Sequence, residues 1–162
     1  MKIVLLAKEE GNRSAQELLA TAIKTSIARI ISSSGKGISL VPIPTSWKPY
    51  RRRGLNPILE LALRTCHQMK SSNQEINIAQ ILEVRKSLQD QTGLNNLERL
   101  RNLAGAFQVK SQIDRDSYES RPLIVIDDVV ASGSTLREAV RALKERNLTV
   151  IGAASACFTF RY

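Results

Sequence analysis

Two adjacent carboxylates, Asp127 and Asp128, stand at the end of an apolar run and shortly before a stretch of small residues. The run, residues 123–126, is aliphatic without polar alternation, which predicts a strand buried on both faces of a parallel sheet. Ligands of open α/β sheets bind at the carboxyl ends of the strands, and a helix that begins there directs unpaired N–H groups at them. The two acids are therefore predicted to follow the strand and to line a ligand site.

The small residues form a loop that suits a phosphate group. Residues 131–135 read Ala-Ser-Gly-Ser-Thr, so the backbone could wrap closely around an anion while the hydroxyls add donors. The loop has neither the GxxxxGK[ST] nor the GxGxxG pattern. Carboxylates beside such a cradle favour a ligand with a phosphate and vicinal hydroxyls, such as a sugar phosphate, or a divalent cation. The alternative is a strand-ending turn and a helix N-cap without any ligand.

Residues 126–135, IDDVVASGST, resemble the signature with which type I phosphoribosyltransferases bind phosphoribosyl pyrophosphate (PRPP). The resemblance implies an α/β fold: a mainly parallel sheet flanked by helices, with a small hood or flap region. It implies that Asp127 and Asp128 hold the ribose hydroxyls and, directly or through water, a Mg²⁺ ion that accompanies PRPP. The 5-phosphate would be held by Ala131, Ser132, Gly133, Ser134 and Thr135.

A second loop, residues 44–56, carries the densest positive charge of the chain. Its prolines predict irregular backbone, and Lys48 is followed by three consecutive arginines, residues 51–53. At the end of a neighbouring strand these cations could bind a pyrophosphate across from the two acids. A solvated basic turn is the alternative interpretation.

Residues 41–62, VPIPTSWKPYRRRGLNPILELA, are similar to a segment of ComF-type competence proteins, a branch of the same superfamily. That similarity implies that the pyrophosphate side of the site is lined by Thr45, Ser46, Lys48, Arg51 and Arg53. Trp47 and Tyr50 are interpreted equally well as stacking on a base or as anchoring the loop.

Residues 85–107 also resemble the ComF pattern, through an arginine, a glutamine, a Glu-Arg pair and a final Gly-Ala-Phe. In related enzymes this region is a flap over PRPP that excludes water. The resemblance implies that Arg85, Gln91 and Arg99 belong to such a flap. A surface ion-pair network around Arg99 explains the same residues without a ligand.

The remaining patterns predict the elements that position these residues. Apolar residues at helical spacing predict a helix from residue 12 or 14 to about 33, another from 57 to about 70, and a third from 136 to about 146. Strands are predicted at residues 38–43, 76–84 and 149–158, and residues 1–11 fit either a strand or a helix start. Strand, helix and strand between residues 123 and 158 predict a right-handed βαβ unit with parallel strands.

Composition limits the class of protein. The 162 residues, 43% of them hydrophobic, predict one globular domain spanning residues 1–162. Two cysteines and one histidine cannot make a four-ligand zinc site, so the zinc module with which ComF-type proteins commonly begin is expected to be missing. No apolar run reaches the roughly 18–20 residues of a membrane span, and no signal peptide is evident, which predicts a cytoplasmic protein.

The net charge of +9 favours polyanionic partners, and two functions stay open. The first is a PRPP- or nucleotide-binding protein of natural transformation, acting with single-stranded DNA or with other competence proteins. The second is an active phosphoribosyltransferase with an unidentified base or amine as acceptor. In the purine-salvage branch an acid stands at the position of Ala131, so the sequence lacks the expected base. Type I relatives often form dimers, and the sequence is compatible with one.

Overall fold

The structure, a computed structural model, describes residues 2–31, 37–44, 56–70, 75–85, 104–113, 118 and 121–159. The chain order of its elements is α1 (Lys2–Glu9), α2 (Arg13–Ile31), β1 (Ile38–Pro42), α3 (Pro57–Met69), β2 (Ile76–Ile78), β3 (Leu82–Val84), β4 (Phe107–Val109), β5 (Leu123–Val130), α4 (Ser134–Lys144) and β6 (Val150–Phe158). The predicted loop at 44–56 and the predicted flap fall mostly outside these ranges.

The central sheet has the strand order β2-β1-β5-β6, and every neighbouring pair is parallel. The two longest strands, β5 and β6, are joined through α4. This unit confirms the predicted βαβ arrangement and brings the carboxyl ends of β1, β5 and β6 to one edge of the sheet. A separate ribbon pairs β3 with β4 in antiparallel orientation.

The side chains of β5 divide the core into two layers. Ile124 and Ile126 pack against α1, α2 and α3, while Leu123 and Val125 face α4 and the β3–β4 ribbon. All four are fully buried, as expected for a strand in the middle of a sheet covered on both faces. The two acids at the polar end of the strand also face different layers, since Asp127 lines a cavity at the start of α4 and Asp128 pairs with Lys8 of α1.

The first segment of the chain is a helix, α1, and α2 follows the predicted apolar periodicity. Ile23 and Ile27 of α2 are fully buried, whereas Leu18, whose apolar side chain also fits the helical spacing, is 57% exposed. At the start of α3 the side chain of Asn56 accepts hydrogen bonds from the N–H groups of Ile58 and Leu59, at 3.0 and 3.3 Å. This cap, with Pro57 in the first turn, explains why the helix begins there.

The prediction of one strand over residues 76–84 is wrong. β2 and β3 belong to different sheets, because the Ala79 N–H still bonds to Leu40 of β1 at 2.8 Å whereas Leu82 pairs with Val109 of β4. The sequence INIAQILEV explains the break, since its apolar residues lose the period of two at Ala79 and again at Leu82. Among the described residues, no helix has the length and apolarity needed to cross a bilayer.

A tight contact between α2 and β6 yields a stability test. A Cβ at Gly152 would lie 3.0 Å from two side-chain atoms of Ile30, so we expect Gly152→Val to lower the free energy of unfolding by about 1–3 kcal/mol. The measurement is the urea midpoint at unchanged slope. Ala153→Val, at the exposed neighbouring position, is the control, with a change below about 0.5 kcal/mol expected. Equal losses in the two variants would contradict this packing.

Candidate functional site

The strand β5 does not end before the acids, as the sequence predicted, but continues through them to Val130. The reason is its partner β6, which offers a pairing position to Asp127 at Ser155 and to Val129 at Cys157. Because successive side chains of a strand point to opposite faces, Asp127 and Asp128 serve different layers of the molecule. Asp127 faces the layer of α4, and Asp128 faces the layer of α1.

The loop between β5 and α4 turns sharply through Gly133, whose φ of 71° and ψ of 5° place it in the left-handed region that glycine adopts without strain. Gly133 is the N-cap of α4 and no side chain caps the helix. The hydroxyls of Ser132 and Ser134 lie 2.8 Å apart, and the guanidinium of Arg137 donates to the Ser132 carbonyl at 3.0 Å. The N–H of Ser134 makes a long hydrogen bond to the Ser132 hydroxyl at 3.4 Å, and the next amides of the first turn of α4 are available to an anion.

A cavity of about 170 Å³ opens at this helix end. Its lining is mostly the loop predicted to bind phosphate, and one of the two acids contributes to its wall; the lining residues are Asp127, Val129, Val130, Ala131, Ser132, Gly133, Ser134, Thr135 and Leu136. The structure thus brings together all five predicted loop residues and Asp127. Asp128 does not line this cavity.

The environment of Asp127 holds its carboxyl group partly protonated near neutral pH. Burial, followed by the negative charge of Asp128, raises the pKa of Asp127 from 3.8 to about 7. The N–H of Asp128 donates to Asp127 Oδ1 at 2.9 Å and offsets part of this rise. A carboxyl group in this state can donate a hydrogen bond or accept a proton at the wall of the cavity.

Asp128 is 4% exposed and forms an ion pair with Lys8 of α1. Its other oxygen accepts a hydrogen bond from the N–H of Val129 at 2.8 Å. Oδ2 meets the ammonium of Lys8 as an ion pair without hydrogen-bond geometry, so this buried oxygen has no hydrogen-bond donor among the described residues. Nothing in the sequence indicated Lys8, because a lysine after a short apolar run has no pattern that relates it to an acid 120 positions later.

The two acids do not form a ready site for a divalent cation. Mg²⁺ prefers octahedral coordination by oxygen ligands, yet Asp127 alone faces the cavity and Asp128 is paired with an ammonium group. Among the described residues, no group of three or more acids, histidines or cysteines is arranged to hold a metal ion. The chain's own described residues therefore do not fit a protein-held Mg²⁺ at this edge.

An ion pair on α4, with a buried acid and a partly exposed arginine, holds the β3–β4 ribbon. Glu138, 6% exposed, accepts a hydrogen bond from the N–H of Phe107 at 3.3 Å and two from Arg141 at 2.7 Å, and Arg141 also donates to the Phe107 carbonyl at 3.1 Å. Burial would raise the pKa of Glu138, but the hydrogen bonds from Arg141 and Phe107 outweigh it and lower that pKa. The i,i+3 spacing of the pair in the helix was the only sequence signal for it.

The remaining predicted site residues are placed only in part. Arg85 is exposed just after β3, and its N–H donates to the Ala106 carbonyl at 2.7 Å. This hydrogen bond brings together two residues that are 21 positions apart in the sequence. The predicted pyrophosphate loop and the other predicted flap residues lie outside the described residues: Thr45, Ser46, Lys48, Arg51, Arg53, Gln91 and Arg99.

The raised pKa of Asp127 makes the stability depend on pH. Between about pH 4 and 7 the unfolded carboxyl has lost its proton and the folded one keeps it, so stability falls as pH rises through this window and the loss is complete above it. We expect Asp127→Asn to remove this loss, which makes the variant about 1–3 kcal/mol more stable than the parent at pH 8 and nearly equal to it at pH 4. Urea unfolding at several pH values measures the difference.

The exposed acid Glu10 supplies the control for this experiment, because Glu10→Gln removes one carboxyl group away from the cavity. Its stability should follow the parent at every pH. Curves of the parent and of Asp127→Asn that stay parallel from pH 4 to 8 would show that Asp127 is not held protonated by its surroundings.

Comparison with known proteins now identifies the family. A family model described as the phosphoribosyl transferase domain matches residues 77–160, which is more than half of the chain. No curated protein sequence matches the chain significantly.

Solved structures also align with the chain. Two crystal forms, orthorhombic and tetragonal, of a hypoxanthine phosphoribosyltransferase from Staphylococcus aureus align at TM-score 0.44 with 16% and 15% identity, over 90% of this chain and 65% of theirs. Orotate phosphoribosyltransferase from Aeropyrum pernix aligns at TM-score 0.45 with 13% identity, over 91% of this chain and 73% of that one. The chain thus spans 65% of the length of the S. aureus protein.

The family match covers β2 to β6, including both acids and the loop that follows them. Together with the parallel sheet flanked by helices, it confirms the predicted α/β fold of type I phosphoribosyltransferases. The chain belongs to the phosphoribosyl transferase domain family.

Proposed function

We propose that this chain binds PRPP at the carboxyl edge of β5 and that it is a ComF-type member of the superfamily with a role in DNA uptake. The observation that carries the proposal is the cavity at the uncapped N-terminus of α4, with Asp127 in its wall. Amides and hydroxyls on one side and a carboxyl group on the other match a phosphate attached to a hydroxylated sugar.

The phosphate half of the ligand lies at residues 131–135 in this proposal. The helix end offers backbone N–H groups and a partial positive charge, and the left-handed Gly133 keeps a Cβ away from the approaching anion. Ser132 and Ser134 add hydroxyl donors. The ribose hydroxyls then meet Asp127, with Asp128 behind it on the opposite face of the strand.

The pyrophosphate half is assigned from sequence alone, to Thr45, Ser46, Lys48, Arg51 and Arg53. These residues follow β1 in the sequence, and the carboxyl end of β1 lies beside that of its parallel neighbour β5, at the edge that carries the phosphate loop. A Mg²⁺ ion, if PRPP brings one, would be held by the oxygens of the ligand, because the described acids do not provide a coordination sphere.

The role in DNA uptake rests on the resemblance of residues 41–62 and 85–107 to ComF-type proteins and on the net charge of +9. Single-stranded DNA and other competence proteins are the proposed partners. Direct contact of a basic protein with DNA phosphates predicts an affinity that falls steeply with salt, which distinguishes direct DNA binding from a role through a protein partner.

A second candidate function, transfer of ribose 5-phosphate to a base or amine, is favoured by the state of Asp127. The sequence lacks an acid at Ala131, but a carboxyl group with a pKa of about 7 lines the cavity. In this reaction the acceptor nitrogen bonds to the anomeric carbon, the bond from that carbon to pyrophosphate breaks, and the proton of the acceptor passes to Asp127. The residues that bind PRPP are the same in both candidates.

Ligand-dependent stability tests the binding function. Ribose 5-phosphate and PRPP should each raise the free energy of unfolding, by about 2.7 kcal/mol at a ligand concentration of 100 times Kd. We expect Gly133→Ala to weaken both ligands at least about tenfold, since the strained loop no longer presents its amides in register. Thermal unfolding with and without ligand provides the measurement.

Asn147→Ala is the matched control, because Asn147 also has a positive φ, 58°, but lies beyond the opposite end of α4. Asn147→Ala should lower the free energy of unfolding by about as much as Gly133→Ala does. It should change the affinity for either ligand by no more than about twofold. If neither ligand stabilises the parent protein, or if both variants bind equally well, the phosphate assignment is wrong.

Turnover separates the two candidate functions. The transferase candidate requires release of pyrophosphate from PRPP that depends on an added base or amine, with kcat/KM rising with pH through about 7 and falling at least about 100-fold in Asp127→Asn. A panel of nucleobases and amines with Mg²⁺ is the assay. PRPP binding without any acceptor consumed, together with loss of DNA uptake in cells that carry Asp128→Asn, would instead favour the binding protein.

A further inference from the structure

The ion pair between Lys8 and Asp128 joins the first helix of the chain to the second acid of the site. The side chain of Asp128 is 5% exposed and that of Lys8 is 30% exposed. A carboxylate this deeply buried needs a partner, because an isolated charge in the interior is costly. Lys8 is the cation that the described structure gives it.

The position of Lys8 is determined by the packing of α1. Val4 and Ala7, on the inner face of α1, are each 5% exposed, and the Ala7 carbonyl accepts a hydrogen bond from the buried side chain of Gln16 at 3.3 Å. Asn12 closes the turn into α2 by donating its N–H to the Leu6 carbonyl at 3.1 Å. An ammonium group near the carboxyl end of a helix is also favoured by the helix dipole. Lys8 is therefore held in place rather than mobile at the surface.

We propose that Lys8 is a positioning residue of the sugar site, whose ammonium occupies the place at Asp128 that a divalent cation would otherwise take. The charge of Asp128 is then compensated within the chain, and the sugar half of the site needs no metal held by protein ligands. The inference rests on the proposed function for the identity of the site. It accounts for the poor fit of the two acids to a Mg²⁺ coordination sphere.

A second cavity gives solvent access to this ammonium group. Its volume is about 330 Å³, and its lining residues are Ala7, Lys8, Glu9, Glu10, Gly11, Gln16, Pro57 and Glu60. Three of them are acids, of which Glu60 is paired with Arg64. Because Lys8 both lines this cavity and contacts Asp128, we expect that removal of its charge lets a small divalent cation reach Asp128 along the path of the lysine side chain. The thermal midpoint of the parent should thus not depend on Mg²⁺, whereas that of a variant without the Lys8 charge should rise when Mg²⁺ is added.

The experiment compares thermal midpoints in EDTA and in millimolar Mg²⁺ for Lys8→Met, Lys8→Arg and the double variant Lys8→Met with Asp128→Asn. We expect Lys8→Met to lose stability in EDTA and to recover at least half of that loss in Mg²⁺. Lys8→Arg keeps a cation beside Asp128 and should show no response to Mg²⁺. The double variant should be more stable than Lys8→Met in EDTA, also without a response, because no buried carboxylate is left unpaired.

Lys2→Met is the matched control, since Lys2 lies on the same helix, is exposed and loses the same charge. It should behave like the parent in both conditions. The inference is overturned if Mg²⁺ raises the thermal midpoint of the parent as much as that of Lys8→Met. It is also overturned if Mg²⁺ leaves the thermal midpoint of Lys8→Met unchanged.

Binding of ribose 5-phosphate to the parent tests the same point without relying on the fold of a variant. The sugar phosphate lacks the pyrophosphate group that carries Mg²⁺ into such sites, so its affinity should agree within about twofold in EDTA and in Mg²⁺. A loss of tenfold or more in EDTA contradicts the inference while leaving the proposed function intact. Failure of both ribose 5-phosphate and PRPP to bind rejects the proposed function, and with it the assignment of Lys8 to a sugar site, whatever the response of Lys8→Met to Mg²⁺.

Discussion

The parallel pairing of β5 with β6 is the constraint on which the rest of the structure depends. It keeps β5 extended through its two acids, so that successive side chains serve opposite layers, while the helices and the β3–β4 ribbon cover the two faces of the strand. From this single fact follow a carboxyl group that faces an anion cradle and another that is buried beneath the first helix. A strand that ended at residue 126 would have left both acids in one solvated turn.

Much of the fold could be predicted because local patterns and tertiary burial agree. Residues 123–126 have no polar alternation and are buried on both faces of the sheet. The apolar periodicity of residues 13–31 indicates the helix that covers one of these two faces. The loop at 131–135 was predictable for a similar reason, since a glycine adopts the left-handed conformation of Gly133 without strain. In each case the sequence feature and the structural demand are local.

What could not be predicted depends on contacts between residues far apart in the chain. The partition of residues 76–84 between two sheets follows from the positions of β1 and β4, not from local propensity. The same holds for Lys8, whose role depends on an acid 120 positions later, and for Glu138, whose partner Phe107 precedes it by 31. The sequence Asp-Asp also does not show that the two acids have different roles, because their roles depend on the pleat of the strand, which directs the two side chains to opposite faces.

The Glu138–Arg141 pair has a consequence for how the site works as a mechanical unit. It joins the main chain at Phe107 to the helix whose first turn forms the anion cradle, and the Arg85–Ala106 hydrogen bond joins β3 to the same point. Residues 85 and 106, between which the predicted flap lies in the sequence, are thus connected to α4 through Phe107. If a bound anion shifts α4, these contacts transmit the shift to Phe107, and any coupling between the two positions is reciprocal.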